Sequence, residues 1–144
     1  KLGRTIVHTG ALDSLFDCSL GSLAYRSVRF EHRRVATGNH QGVAVVNYTE
    51  REVPHTRSIE HAHFTFTEGE VSWVSLEYPV DYRETNEPFY LVRDAQNLAL
   101  HAAYRRMAGD EHDLLTGGRL AEYAYYDMDK TIASALTLCD AVFS

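Results

Sequence analysis

The stretch from Gly117 to Leu136, GGRLAEYAYYDMDKTIASAL, collects residue types that can hold a polar, planar molecule. A helix beginning after Asp127 presents unpaired N–H groups and a partial positive charge at its start. Helix capping accounts for Asp127 alone. It leaves Gly117, Gly118, Arg119 and the tyrosines Tyr123, Tyr125 and Tyr126 unexplained. Paired glycines let a flat group approach the backbone. A guanidinium offers a planar set of donors to a ring edge or a phosphate. Tyrosines supply hydroxyls and flat faces. Together these residues imply a cofactor or nucleotide site where a strand ends and a helix starts.

Other candidates are weaker. Arg57, Ile59, His61 and His63 share one face if their strand is regular, and His55 lies on that face too. A His-x-His pair can hold a metal, but no third ligand follows at a recognisable spacing, and a hydrogen-bonded histidine pair is the plainer reading. Arg26, Arg29, Arg33 and Arg34 form the one basic cluster, which reads either as a phosphate grip or as a solvated strand face. Glu77 and neighbouring carboxylates have no spacing that singles out a glycosidase-type pair. Nucleophile signatures, a phosphate-binding P-loop and G-x-G-x-x-G are all absent from the sequence.

These residues need a scaffold, and 144 residues suffice for one domain with a core. A chain 44% hydrophobic and 24% charged is of the folded, soluble type. The net charge of −6 argues against a nucleic-acid surface. No apolar run reaches membrane-spanning length, and the first residues lack a signal-peptide core. Position 1 is not Met, so the expectation is a piece of a longer chain. Cys18 and Cys139, far apart and in no metal-like or redox spacing, are expected to be reduced and intracellular.

Arg4–Thr9 reads as a short, mostly buried strand, followed by a short helix capped by Asp13. Leu23–Arg33 alternates as a strand, TGNHQG is a turn, and GVAVVNYT is a strand with Asn47 near its end. HTRSIEHAHFTF alternates again, with Glu68–Glu70 as a hairpin connection to the returning strand VSWVSLEYPV. DYRETNEP is a polar loop. Asp94 caps a helix whose apolar stripe is Ala95, Leu98, Ala99, Ala102, Ala103 and Met107. LLTGG is a short buried strand. Asp127 caps the last helix, with Met128, Ile132, Ala135, Leu136, Cys139 and Phe143 as its stripe. The two terminal strand–helix pieces either sit side by side as the edge of a larger sheet or pack on the central strands.

Several stretches, in order, resemble the C-terminal part of the UDP-galactopyranose mutase family: VHTGALDSLFD, LAYRSVRFE, VVNYTEREVPHTRSIEHAHF, EYPV, EPFYLV and GGRLAEYAYYDMDKTIASAL. The resemblance runs along nearly the whole chain. It implies an enzyme that interconverts UDP-galactopyranose and UDP-galactofuranose for cell-surface glycan synthesis. The implied cofactor is FAD in its reduced form, whose N5 attacks the anomeric carbon as UDP leaves. Carried over residue by residue, Arg57 pairs with the substrate diphosphate, Tyr90 and Tyr125 bind it, and Asn47 contacts substrate. Arg26 and Glu77 match active-site positions. Arg119 lies beside the flavin, and Tyr126, Asp127, Met128 and Asp129 belong to the helix start under it, so that Arg57 and Asp127 are the candidate catalytic residues. His61 and His63 are then structural rather than metal ligands.

The implied fold is α+β with α/β pieces. It has a central mixed, largely antiparallel substrate sheet (23–92), flanked by strand–helix pieces of an FAD-binding dinucleotide fold (1–22 and 93–144). The family's glycine-rich FAD loop is missing from this sequence. So is its helical lobe with a mobile arginine and a uridine-facing tryptophan; Trp73 lies in the middle sheet instead. The expected partner is UDP-galactose, with no nucleic acid, no membrane and no metal, a cytoplasmic location, and a homodimer through exposed sheet edges. Two other readings are a non-catalytic binding or dimerisation module, and a β-rich domain holding a metal through His55, His61 and His63.

Overall fold

The computed structural model describes residues 3–66, 68–83 and 87–143. In chain order the elements are β1 (Ile6–His8), α1 (Leu12–Leu15), β2 (Tyr25–Val35), β3 (Val45–Asn47), β4 (Arg57–Glu60) and α2 (Ala62–Thr65). There follow β5 (Ser72–Asp81), β6 (Tyr90–Leu91), α3 (Ala95–Gly109), β7 (Leu114–Thr116), α4 (Gly118–Ala121) and α5 (Met128–Phe143). The fold is mixed α+β: a five-stranded sheet of order β3-β4-β5-β2-β6, and a separate β1–β7 pair. The chain divides into two compact units, residues 26–89 and residues 1–25 with 90–144.

In the 26–89 unit, β3–β4, β4–β5 and β5–β2 pair antiparallel. Strand periodicity sorts the side chains onto two faces. Ser27, Ser58, Glu60, Val74 and Leu76 are buried on one. This face is covered by the unit's own loops. The Ser58 hydroxyl donates to Gln41 Oε1 (2.6 Å), Tyr48 packs edge-on against His55 (4.6 Å between centroids), and His55 against Tyr78 (5.8 Å). The other face carries Arg26, Phe30, His32, Asn47, Arg57 and Glu77, and most of these side chains are exposed.

Alternation over HTRSIEHAHFTF predicts a strand through His63, but β4 stops at Glu60. The His61 N–H makes a bond to Trp73 O (3.0 Å), and the Phe64 and Thr65 N–H groups then turn back onto His61 O (3.0 and 3.4 Å). Phe66, at φ 52°, closes this helical turn. A polar–apolar alternation a few residues long fits a strand and a single helical turn alike. His61 and His63 therefore do not share a strand face. Within the expected polar loop 81–88, Glu84, Thr85 and Asn86 lie outside the described residues.

In the other unit, a strand near the start of the chain pairs with one about 110 residues later. β1 and β7 run parallel, with Ile6 beside Leu114 and His8 beside Thr116. Side-by-side terminal strands were one of the two sequence readings. The strand β1 is not buried, however: Ile6 and Val7 are 54% and 61% exposed, because among the described residues each strand of the pair has only the other as a neighbour. Asp13 does not cap α1, whose N-cap is Ala11; its buried carboxylate instead accepts the Leu23 N–H (2.8 Å).

Helix α3 is capped by Asp94 as expected, through the Asn97 N–H (2.7 Å). Its buried face is the opposite of the predicted one: Asn97, His101, Tyr104 and Ala108 point inward, and Leu98 and the alanines at 95, 99 and 102 point out. The irregular segment 20–24 explains the inversion. Buried main-chain groups require partners, and α3 supplies them. Asn97 Oδ1 accepts the Ala24 N–H (2.9 Å), and the Tyr104 hydroxyl donates to Gly21 O (2.7 Å) and accepts from Leu20 N–H (2.9 Å). On α5 the predicted stripe is right in spacing but uncovered: Met128 is 84% exposed, and Ile132, Leu136 and Cys139 are also exposed. The side chain of Phe143, the last residue of that stripe, lies outside the described set.

Candidate functional site

Cross-strand register builds the first cluster. Asn47 on β3 sits opposite Arg57 on β4, and Arg57 opposite Glu77 on β5. Arg57 Nε donates to Asn47 Oδ1 (2.9 Å), and its Nη1 lies 3.6 Å from Glu77 Oε2. Glu77, 6% exposed, also accepts from the Thr56 hydroxyl at Oε1 (3.4 Å). Arg57 itself stays partly exposed. One edge of its guanidinium is thus held by a hydrogen bond and another lies in ion-pair range of Glu77, and Nη2 carries no hydrogen bond among the described residues. A planar cation oriented in this way suits an oxyanion. Arg26 shares the face but lies four residues along β2 from Phe30, the residue paired with Glu77, about 13 Å away along the strand.

The basic cluster of β2 is split. Arg29 and Arg33 lie on the face opposite Arg26 and Arg34; Arg29 stacks over Tyr78 (4.3 Å to the ring centroid) and Arg33 Nε bonds Glu31 (2.7 Å). They form no single phosphate grip. The histidines are likewise engaged. Ser75 Oγ lies 2.7 Å from His32 Nδ1 and 2.6 Å from His61 Nε2, and His63 Nε2 is 3.4 Å from Glu60 Oε2. Ser75 is buried, so this serine–histidine contact offers no accessible nucleophile. Among the described residues, no group of three or more His, Cys, Asp or Glu side chains is arranged to hold a metal. Glu60 has a structural task that sequence spacing did not indicate. Burial pushes its carboxyl up, but N–H bonds from His40 (2.8 Å) and Gln41 (2.9 Å), with His63 beside it, prevail and hold it at about 2.

The second cluster lies in the other unit. Tyr90 and Tyr125 stack at 6.2 Å with 19° between their planes, and Arg119 Cζ is 5.9 Å from the Tyr125 ring centroid. Tyr125 is 52% exposed. Tyr123, in contrast, is buried and fastens the main chain: its hydroxyl lies 2.6 Å from Ala24 O and 2.8 Å from Val92 O. Burial pushes that hydroxyl up to about 12. Tyr123 therefore positions the chain and is not presented to a ligand. The Tyr126 hydroxyl donates to Glu122 Oε2 (2.7 Å), which raises its pKa.

Glu122, which sequence reasoning passed over, is a hub. It accepts from Ser134 Oγ (2.6 Å) and Gly118 N–H (3.2 Å) as well, and these bonds outweigh burial and lower its pKa. Its only sequence signal was a position four residues before Tyr126.

The glycines serve packing before any ligand. A Cβ on Gly117 would stand 3.2 Å from Leu138 Cδ2, and Gly118 has φ +86°, where glycine is favoured. The room expected beside them for a flat group is filled by this chain. Asp127, Met128 and Asp129 are exposed at the start of α5, where Asp127 O accepts from Thr131 N–H (3.0 Å). Against a flavin the fit is partial: exposed Arg119, Met128 and the α5 start suit it, whereas Gly117, Gly118 and Tyr126 are already occupied. A cleft of about 580 Å³ bordered by Arg105, Glu122, Tyr126, Lys130 and Ser134 gathers only Tyr126 of the nominated residues.

Comparison with known proteins agrees with the motifs. The sequence profile of the UDP-galactopyranose mutase family matches residues 1–125. A probable UDP-galactopyranose mutase of Klebsiella pneumoniae is 37% identical, over 96% of this chain and 36% of its own length. A UDP-galactopyranose mutase of Mycoplasma pneumoniae is 37% identical over 92% of this chain and 35% of its own. A dTDP-fucopyranose mutase of Escherichia coli is 33% identical over 91% and 35%. The chain thus spans about a third of the length of these relatives. With the profile covering 125 of its 144 residues, the chain belongs to the UDP-galactopyranose mutase family.

Proposed function

We propose that this chain is the portion of a UDP-galactopyranose mutase that grips the diphosphate of UDP-galactose and borders the flavin. The whole protein would interconvert UDP-galactopyranose and UDP-galactofuranose. The observation that carries the reading is Arg57, hydrogen-bonded to Asn47 and ion-paired with Glu77, with an Nη2 that carries no hydrogen bond among the described residues. Negative charge grows on the diphosphate as the anomeric C–O bond breaks. A donor already oriented toward that charge lowers the barrier more than it tightens the ground state. The family resemblance also assigns Tyr90 and Tyr125 to the diphosphate; within their own unit their hydroxyls make no hydrogen bond among the described residues, and their rings brace each other.

Bound FAD would supply, when reduced, the nucleophile for the anomeric carbon. Arg119, Met128 and the start of α5, with Asp127 and Asp129 beside it, are the residues in this chain that would border it; Tyr126 would act through Glu122. In this reading residues 23–92 are the substrate sheet. Residues 1–22 and 93–144 complete an FAD-binding domain, supported by the parallel β1–β7 pair and the uncovered stripe of α5. Arg26 lies further along the same sheet face and would meet a more distant part of the ligand. A cytoplasmic site of action and a homodimer belong to the same proposal; among the described residues no helix is long and apolar enough to cross a membrane.

The test is Arg57→Ala in the full-length mutase that carries this chain. Turnover should fall by roughly 100-fold or more while the flavin absorption band is retained. Ordinary turnover in that variant would remove Arg57 from the site.

A further inference from the structure

We propose that Phe30 is the platform on which the hexose ring of the sugar nucleotide lies. This inference rests on the reading of Arg57 as the diphosphate anchor.

Position comes first. Phe30 is the register partner of Glu77, which is the register partner of Arg57, so one row across three strands reads Phe30, Glu77, Arg57. All three side chains stand on the same sheet face, and Phe30 is two strand spacings from Arg57, about 10 Å at the backbone. A sugar attached to a phosphate held by Arg57 needs a surface at that distance. Phe30 is 37% exposed, a large apolar ring in a row that is otherwise charged.

Orientation is the second argument. The ring lies nearly parallel to the His32 imidazole (6.3 Å, 6°) and edge-on to Phe89 (6.1 Å, 64°). His32 is itself fixed through Nδ1 to the buried Ser75 hydroxyl, which also meets His61 Nε2. A serine hydroxyl has one proton. With both imidazoles neutral, Ser75 donates to one and accepts from the other, which sets their tautomers. His32, which stacks on Phe30, is thus tied through Ser75 to His61, one of the two histidines that resembled a metal pair in the sequence.

The third argument is chemical. A pyranose presents C–H bonds on its faces and hydroxyls around its rim. A flat aromatic ring beside polar side chains matches that pattern, the ring meeting the C–H face and its register neighbour Glu77 standing toward the rim. A nucleobase would also stack on a ring, so the test must separate sugar from base.

The measurement is calorimetric titration of UDP-galactose and of UDP into the mutase protein carrying this chain, as wild type, Phe30→Leu and Phe30→Trp. Leu keeps apolar bulk and removes the flat face; Trp restores it. Phe30→Leu should weaken UDP-galactose about five-fold while leaving UDP unchanged, and Phe30→Trp should hold UDP-galactose near the wild-type affinity. Equal weakening of both ligands assigns the ring to the base or to general packing and overturns the proposal. Unchanged binding of both by Phe30→Leu overturns it as well. Arg57→Ala, run in parallel, should weaken both ligands. If it weakens neither, the diphosphate reading fails, a result distinct from failure at Phe30.

Discussion

Replacing Glu60 by Gln should unfasten the sheet that carries Arg57. Glu60 is fully buried, and its two oxygens accept from His40 N–H and Gln41 N–H at 2.8 and 2.9 Å. Its own N–H bonds Ala44 O (2.9 Å), so one residue pins both the turn before β3 and the register of β3 on β4. A glutamine keeps one acceptor and turns an NH₂ toward the other N–H, setting donor against donor. The size of the loss follows from the carboxyl's pKa, held at about 2 against an ordinary 4.5. A carboxyl depressed on folding stabilises the protein above its unfolded pKa, and the contribution disappears as pH falls through the folded one. That difference corresponds to about 3 kcal/mol at neutral pH. Urea unfolding followed by circular dichroism and by the single tryptophan, Trp73, measures it. At pH 7 the variant should be less stable by about 3 kcal/mol, and the gap should close between pH 4.5 and 2 as the wild type loses its carboxylate. A gap below about 1 kcal/mol, or one that persists unchanged down to pH 2, refutes the reasoning.

Two further changes test the scaffold of the other unit. Tyr104→Phe removes the partner of Gly21 O and of Leu20 N–H in a buried setting, and should cost about 2 kcal/mol in urea unfolding; a neutral effect would show that water replaces the hydroxyl. Gly118→Ala places a side chain at φ +86° and should destabilise by about 1–2 kcal/mol, read as a lowered melting temperature; an unchanged melt would mean that the turn relaxes freely.

What was legible from sequence was local or periodic over a long run. Asp94 announced the start of α3 because an N-cap bond spans only three residues. β2 was read from an alternation over Leu23–Arg33, long enough for the period to decide. The inward face of α3 was not legible. Its polar residues answer main-chain groups of segment 20–24, more than 70 residues earlier, and no periodicity records such a demand. The short HTRSIEHAHFTF stretch failed because its pattern was satisfied equally by a strand and by a helical turn. The candidate site divided in the same way. Asn47, Arg57 and Glu77 came from the family motif, and the register that makes them neighbours came from the fold. Glu60 and Glu122, each joined to groups that approach from several positions in the chain, were not singled out by sequence spacing.

The pinning of Arg57 has a consequence for affinity. A free arginine side chain samples many rotamers, and confining it costs about 2 kcal/mol of entropy. Asn47 and Glu77 confine it before any ligand arrives, so this disorder is lost when the strands pair and not when an anion binds. Ligand affinity is thereby tied to the stiffness of β3 and β4, strands of three and four residues. A substitution that only loosens those strands should weaken anion binding by slowing nothing and blocking nothing, simply by returning to Arg57 its freedom to wander.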